Sequence, residues 1–260
     1  MPHHRELEFA LRMARAAGEN ARRIRARGIS AEAKADASPV TIADRDNERL
    51  IREAIELEFP EDGILGEEGS CKPGSSGRRW IVDPIDGTRD FVRGNRFWCV
   101  LLAVEEGGES VAGVAHFPML EETYWALRGE GAFTGPDDAP ERLRASYVTH
   151  IQESVFCPDG LHLAAAGPHL PRLTDLMQRC WAVRAYGGAL DACLVAAGKA
   201  EIWFEPKVEP WDLAPLKLIL EESGARFFAM DGSRSIERRT AVGCAPGIEA
   251  EVRRALGVPA

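Results

Sequence analysis

The chain has no C-x-x-C pair, no low-complexity tract and no excess of positive charge. It also has no apolar run near the roughly 20 residues that a membrane-spanning helix needs. Each absence removes a class of protein. The six cysteines (Cys71, Cys99, Cys157, Cys180, Cys193 and Cys244) are scattered through 260 residues. They lack zinc-site spacing and do not suggest a disulfide scaffold at this size, so they read as reduced thiols, several of them buried. The first residues, Met-Pro-His-His-Arg-Glu, carry no apolar core of a signal peptide, which makes the cytoplasm the expected compartment. Lys and Arg number 32 against 41 Asp and Glu, a net charge of −9. A generic nucleic-acid binder needs a basic face, so none is expected as a partner, and no membrane either. An anionic substrate stays open, because bound divalent cations invert a local field. G-x-S-x-G, H-E-x-x-H, a P-loop and G-x-G-x-x-G are all missing, and no two of the six histidines form a ligand pair at helical spacing.

What is present has the periodicities of a layered protein. Leu7, Leu11, Ala14, Ala17, Ala21 and Ile24 predict a helix from about Arg5 to Arg27, stopped at Gly28. Residues 31–41 read as a loop. A second helix is predicted from about Asp44 to Phe59, with Leu50, Ile51, Ala54, Ile55 and Leu57 facing inward and Pro60 ending it. The Gly-, Ser- and Lys/Arg-rich stretch from Cys71 to Arg79 reads as a mobile loop whose Lys72, Arg78 and Arg79 help to attract an anionic substrate. Strands follow at Trp80–Val82 and Trp98–Val104, the latter almost wholly apolar and so expected to be covered on both faces. Val111–Phe117 and Glu122–Leu127 read as its antiparallel neighbours. In the second half, helices are predicted at about Gly187–Ala197, Asp212–Ser223 and Ile248–Leu256, with strands at Ile202–Phe204 and Arg226–Met230. Pro215 is placed in the first turn of its helix, where proline is tolerated. Strands in runs and helices in pairs imply an α/β or layered α+β architecture.

The chemistry sits in Trp80-Ile81-Val82-Asp83-Pro84-Ile85-Asp86-Gly87-Thr88. An apolar strand ends in a carboxylate and turns at proline, and a second carboxylate follows three residues later. Asp83 and Asp86 can converge on one side of such a turn while the N–H groups of Gly87 and Thr88 point at an anion. Carboxylates beside phosphate-binding amides make sense when cations lie between them, and hard oxygen ligands suit Mg²⁺. Taken singly, this segment is a capped turn with solvated aspartates. Asp44 and Asp212, each at the head of an apolar helix, are ordinary helix caps, and Glu67 is a loop acid. The four segments together have a better explanation.

Together, Ser38-Pro39-Val40-Thr41-Ile42-Ala43-Asp44, Leu65-Gly66-Glu67-Glu68-Gly69, the W-I-V-D-P-I-D-G-T run and Val208-Glu209-Pro210-Trp211-Asp212 resemble the inositol monophosphatase superfamily. These are lithium-sensitive, metal-dependent phosphomonoesterases, and the resemblance runs from Lys34 to Gly224 in the family's order. It implies an α/β fold, an alternating αβαβα sandwich of the inositol monophosphatase and fructose-1,6-bisphosphatase type. It implies one domain over 1–260, with a metal and phosphate half to about residue 135 and a substrate half from about 136. Glu67, Asp83 and the Ile85 carbonyl would hold a first Mg²⁺, and Asp83, Asp86 and Asp212 a second. Asp44 with Glu67 would lie near a third, weaker site, and Mn²⁺ is a substitute. Thr88 and Glu67 would orient and deprotonate the attacking water, and the amides of Gly87 and Thr88 would take phosphate oxygens. A homodimer is implied in the same way.

The substrate is read from other stretches. Phe91-Val92-Arg93-Gly94 after D-G-T, and Arg184-Ala185-Tyr186-Gly187, resemble the histidinol-phosphatase branch. That branch usually continues with an aspartate suited to a cationic substrate, and this chain has Gly188, with Asp191 as the nearest acid to replace it. Glu205 matches the family's polyol-contacting glutamate, and Arg184 is placed to meet substrate or a carboxylate. The expected function is Mg²⁺-dependent hydrolysis of a small phosphorylated metabolite, inositol monophosphate or histidinol phosphate. A bisphosphatase for fructose 1,6-bisphosphate or 3′-phosphoadenosine nucleotides, and a non-catalytic role that includes RNA-polymerase binding, are the alternatives.

Overall fold

The computed structural model describes residues 3–28, 31–33, 39–165, 167 and 169–259. Lys34 and Ser38, at the start of the family-like region, lie outside them. The first half runs α1 (His4–Ala26), β1 (Ala31–Ala33), β2 (Pro39–Thr41), α2 (Ile42–Glu58), β3 (Gly63–Gly66), β4 (Cys71–Lys72), β5 (Arg78–Asp86) and α3 (Thr88–Arg93). It continues with β6 (Cys99–Glu106), β7 (Glu109–Phe117), β8 (Glu122–Leu127), β9 (Gly131–Thr134) and β10 (Glu141–Arg142). The second half runs β11 (Val155–Pro158), α4 (Leu161–Ala164), α5 (Leu170–Arg179), β12 (Ala182–Val183), α6 (Gly188–Ala196) and β13 (Ile202–Glu205). It closes with α7 (Pro210–Glu222), β14 (Arg226–Phe228), β15 (Ala241–Cys244) and α8 (Glu249–Leu256).

Eight strands form one sheet in the order β10-β9-β8-β7-β6-β5-β3-β4, antiparallel except for the parallel β3–β5 pair. Five form a second sheet in the order β12-β11-β13-β15-β14. Period-two alternation along β6 sets the layers. Val100, Leu102 and Val104 join the core under α1 and α2, which contains Phe9, Ile51, Ile55 and Trp80. Cys99 and Leu101 point the other way, into the core built by α6 and α7. The far face of the second sheet is covered by α5 and α8 through Leu173, Leu176, Val252 and Leu256. The result is the expected αβαβα sandwich, with β6 covered on both faces as its composition requires.

Four expectations need correction. In α2 the buried face is Ala43, Asp44, Asn47, Glu48, Ile51 and Ile55, whereas Leu50 and Leu57 are exposed, Leu57 by 86%. The 100° step of a helix puts Leu57 two positions off the Ile51–Ile55 stripe, and polar Asn47 and Glu48 occupy the inward positions instead. In the 31–41 stretch, β1 and β2 pair as a two-stranded ribbon. The predicted mobile loop contains β4, paired with β3, and the first residues of β5. Its cations have internal partners: Arg78 with Asp62 and Glu6, Arg79 with Glu105, and Lys72 with the Pro60 carbonyl. Finally, α7 starts at Pro210, so Pro215 lies inside the helix, not in its first turn. There it abuts β7, where a side chain on Gly113 would begin 2.9 Å from Pro215 Cα.

Candidate active site

Strand β5 delivers two aspartates to one face by an irregularity in its ladder. Asp83 pairs with Leu101 and Asp86 with Cys99, so Pro84 and Ile85 together stand against one residue of β6. Without that bulge, a three-residue spacing would send the two carboxylates to opposite faces; with it, both share the face of Leu101 and Cys99. That face looks toward α6 and α7. Gly87, at φ 81°, then turns the chain into α3. It also passes close to the chain that leads into β6, since a Cβ there would lie 3.1 Å from the Phe97 carbonyl oxygen. Both the backbone angle and the space call for glycine.

The third carboxylate comes from the start of α7. Asp212 accepts the Glu209 N–H at 2.8 Å in a capping box, which fixes it at the helix N-terminus. Oxygen atoms of Asp83, Asp86 and Asp212 all lie within 4.8 Å of one another. Asp83 is buried, while Asp86 and Asp212 keep part of their surface open. Asp83 Oδ1 accepts the Ile85 N–H at 2.9 Å. Burial first, and neighbouring carboxylates after it, push all three above the ordinary carboxylate range, Asp86 to about 8 and Asp212 to about 7. Among the described residues no Arg or Lys forms an ion pair with any of them. Three crowded acids without a protein cation, offering only oxygen donors, fit a hard divalent metal.

Glu67 follows β3, and its N–H donates to the Val82 carbonyl at 3.1 Å, which sets it beside Asp83. Its charge adds to the upward push on Asp83, Asp86, Asp212 and Asp44. Asp44 heads α2 in a capping box with Thr41: Oδ2 accepts the Thr41 N–H at 2.7 Å and its hydroxyl at 2.5 Å. Burial outweighs these bonds and raises the Asp44 pKa. Thr88 Oγ1 lies 3.3 Å from Asp44 Oδ1 and 3.1 Å from the Ile85 carbonyl, one proton for two acceptors. The sequence-derived group Asp44, Glu67, Asp83, Ile85, Asp86, Gly87, Thr88 and Asp212 is thus drawn together from four segments. Cys99 Sγ is 3.6 Å from Asp86 Oδ2, and burial with nearby carboxylates keeps that thiol protonated, which disqualifies it as a nucleophile.

The residues expected on the substrate side are more dispersed. The Arg184 guanidinium donates to the Val183 carbonyl and lines a cavity of about 710 Å³ with Phe97, Trp181 and Tyr186. Gly187 caps α6, and Gly188 is that helix's first residue. Asp191 does not fill the place left at Gly188. Its buried carboxylate accepts the N–H groups of Tyr186 and Gly187, and burial raises its pKa to about 7. A side chain on Gly188 would instead meet Glu205 Oε2 at 2.9 Å and Asp159 Oδ2 at 3.2 Å.

Three residues absent from the sequence reading shape the site. Glu48, buried on α2, accepts the N–H groups of Glu68 and Ser70 at 2.7 and 2.8 Å and so holds the turn that carries Glu67. Its position four residues after Asp44 on the inward face was the available signal. Asn47 ties α1 to the Asp83–Asp86 turn: it accepts from Asn20 at 3.0 Å and donates to the Pro84 carbonyl at 3.4 Å. Asp159 gives no local signal, because it reaches Gly188 only through the register of the second sheet.

A family-level comparison matches residues 3–256 to the inositol monophosphatase family. A histidinol-phosphatase of Mycobacterium tuberculosis is 41% identical over 231 residues, 88% of this chain and 89% of that protein. A histidinol-phosphatase of Chlorobaculum parvum is 38% identical over 232 residues, 89% of this chain and 88% of that protein. The crystal structure of the extragenic suppressor protein suhB of Bartonella henselae superposes with a TM-score of 0.89 at 31% identity, covering 96% of this chain and 97% of that one. With its sandwich, its three converging aspartates and these relatives, the chain belongs to the inositol monophosphatase family and is a phosphoric monoester hydrolase.

Proposed function

We propose that the chain hydrolyses a small phosphate monoester whose alcohol carries a positive charge, with histidinol phosphate as the substrate and Mg²⁺ as the cofactor. The observation that carries this reading is the convergence of Asp83, Asp86 and Asp212 within 4.8 Å without a cation from the chain. The two histidinol-phosphatase relatives support the choice of alcohol.

In this reading Asp83, Asp86 and Asp212 hold the metal, joined by Glu67 and the Ile85 carbonyl, with Asp44 at the margin. Bound Mg²⁺ supplies charge neutralisation at the phosphoryl oxygens and lowers the pKa of water. The chain does the rest. The Ile85 carbonyl would be taken up by the cation, and the Thr88 hydroxyl would then donate its hydrogen bond to Asp44 Oδ1 and keep its proton. Its lone pair then accepts a hydrogen bond from the attacking water, and Glu67 takes up the proton that the water loses. The amides of Gly87 and Thr88 bind phosphate oxygens and orient the group for in-line attack. No protein nucleophile is needed. Glu205, Arg184, Gly187, Gly188 and Asp191 frame the side that receives the alcohol.

The reading also takes the chain as a cytoplasmic homodimer. Its six thiols are free, and Phe97, Trp181 and Tyr186 expose apolar rings beside the 710 Å³ cavity. A light-scattering mass of about one 28.5 kDa chain would contradict the dimer.

The test is phosphate release from histidinol phosphate, inositol 1-phosphate, fructose 1,6-bisphosphate and 3′-phosphoadenosine 5′-phosphate, each with Mg²⁺ and with EDTA. Mg²⁺-dependent release favouring histidinol phosphate is expected. Equal release in EDTA, or a clear preference for a bisphosphate, would refute the reading.

A further inference from the structure

The parallel pairing of β11 with β13 sets Pro158 opposite Phe204. The next residue on each strand is an acid, Asp159 and Glu205, and the Asp159 N–H donates to the Phe204 carbonyl at 2.9 Å. The register therefore delivers two carboxylates side by side at the end of the strands. Glycines stand around them. A Cβ on Gly188 would meet Glu205 Oε2 at 2.9 Å and Asp159 Oδ2 at 3.2 Å, and a Cβ on Gly160 would meet Glu205 Oε1 at 3.2 Å. The absent side chain at position 188 leaves a slot walled by both acids.

The slot lacks a partner of opposite charge. Glu205 is only 9% exposed, and its described side-chain partner is the other acid, Asp159, with no described Arg, Lys or amide donating to it. Asp159 Oδ1 is engaged by the Gly160 N–H at 2.7 Å, while Oδ2 faces Gly188. Neither acid forms an ion pair with a described Arg or Lys. Burial, then Asp159, then Asp86 and Asp212 hold Glu205 well above the ordinary carboxylate range. That field places the pair within electrostatic reach of the metal cluster. Such a buried acid calls for a cation with hydrogen-bond donors from outside the chain. Phe97, whose Cβ lies 3.6 Å from where a side chain on the adjacent Gly187 would begin, gives the slot an apolar border that suits an organic cation.

We infer that Asp159 and Glu205, across the open position at Gly188, form the subsite for an ammonium or imidazolium group on the alcohol of the substrate, and that Asp159 is a specificity-determining residue. The inference rests on the phosphatase reading above and adds to it the atoms that select a cationic alcohol.

The test compares kcat/KM for histidinol phosphate and for glycerol 2-phosphate, whose alcohol is neutral, in the wild type, Asp159→Asn and Gly188→Ala, over a range of Mg²⁺ concentrations. Thermal melts check that each variant folds. The wild type is expected to prefer the cationic substrate. Asp159→Asn is expected to lower the ratio of the two kcat/KM values about tenfold or more, mainly through KM for histidinol phosphate. Gly188→Ala, which narrows the slot without removing a charge, is expected to lower the same ratio and keeps the test alive if Asp159→Asn does not fold. Parallel loss on both substrates, or a loss restored by more Mg²⁺, would assign the pair to positioning or to a metal and overturn the subsite. A wild type that cleaves glycerol 2-phosphate at least as well as histidinol phosphate overturns it while the phosphatase reading stands. No Mg²⁺-dependent release from any substrate defeats that reading and the inference with it.

Discussion

Asp86 stands where its neighbours give it no alternative role: half-buried, it lies against Asp83 and Asp212, and its one described side-chain donor is the weak Cys99 thiol. Asp86→Asn keeps the shape and removes one negative charge. It is expected to lower kcat by at least about 100-fold while leaving the circular dichroism spectrum unchanged, since a ligand lost from a metal site costs chemistry before fold. Near-normal turnover would remove Asp86 from the site. His116 offers a second check. It is buried on β7 with Nδ1 2.9 Å from Thr123 Oγ1, and burial, with Arg15 nearby, lowers its pKa to about 4. The unfolded chain thus binds a proton near pH 6.5 that the folded chain refuses until about pH 4, so this residue removes stability as pH falls through that window. His116→Gln should show a shallower loss of melting temperature between pH 6.5 and 4 than the wild type; parallel curves would exclude the residue as a source of acid sensitivity. At this scale the acids of D-P-I-D-G-T, Glu67, Asp44 and Asp212 were legible only as a set, because each alone reads as a turn, a cap or a loop acid and the family resemblance of the four segments together singles them out. Asp159 was not legible, since only the β11–β13 register gives it meaning.

Elements carry information that single residues do not. Helix α2 uses one inward face for three tasks: Asp44 at its head beside Thr88, Asn47 at the Pro84 carbonyl, and Glu48 under the Glu67 turn. Gly66 passes so close over Glu48 that a Cβ there would fall 2.4 Å from its Oε2. Glu48→Ala leaves the N–H groups of Glu68 and Ser70 without their acceptor, at a cost of about 1–3 kcal/mol, and frees the turn that aims Glu67. A lowered melting temperature together with reduced kcat is expected. Loss of stability with full kcat would mean that the turn needs no such support. The sequence showed this helix but misassigned its sides. Leu50 and Leu57 looked like core by hydrophobicity, while Asn47 and Glu48, which are buried, went unread. Apolar periodicity cannot reveal polar side chains whose partners lie in another segment. The bulge at Pro84-Ile85 was legible only as a proline turn; its consequence, two aspartates on one face, depends on pairing with β6.

At the scale of the whole molecule, the site is a place where the fold holds like charges together. Asp83, Asp86 and Asp212 come from β5 and α7, two elements fixed against each other by the core between the sheets, so the acids cannot move apart to relieve repulsion. Relief comes from protons or from metal. Without metal, the folded chain retains protons up to about pH 7 at Asp212 and about pH 8 at Asp86, protons that an unfolded carboxylate releases near pH 4. Raised acid pKa values mean that this stabilisation is complete at low pH and lost as pH rises through the folded values. In EDTA the melting temperature should therefore fall from about pH 5 to 8, apart from the opposing His116 effect below pH 6.5. Mg²⁺ binds the deprotonated ligands, so its stabilisation should grow over the same interval. At 100 times its dissociation constant a ligand adds about 2.7 kcal/mol, roughly 5–10 °C for a chain of this size. Differential scanning calorimetry with EDTA or saturating Mg²⁺ at pH 5.5 and 8 reads this directly. A Mg²⁺ shift that is larger at pH 8 ties the three aspartates to one cation site. A shift that is absent, or larger at pH 5.5, would mean that the carboxylates are relieved by protons alone and that metal binds elsewhere.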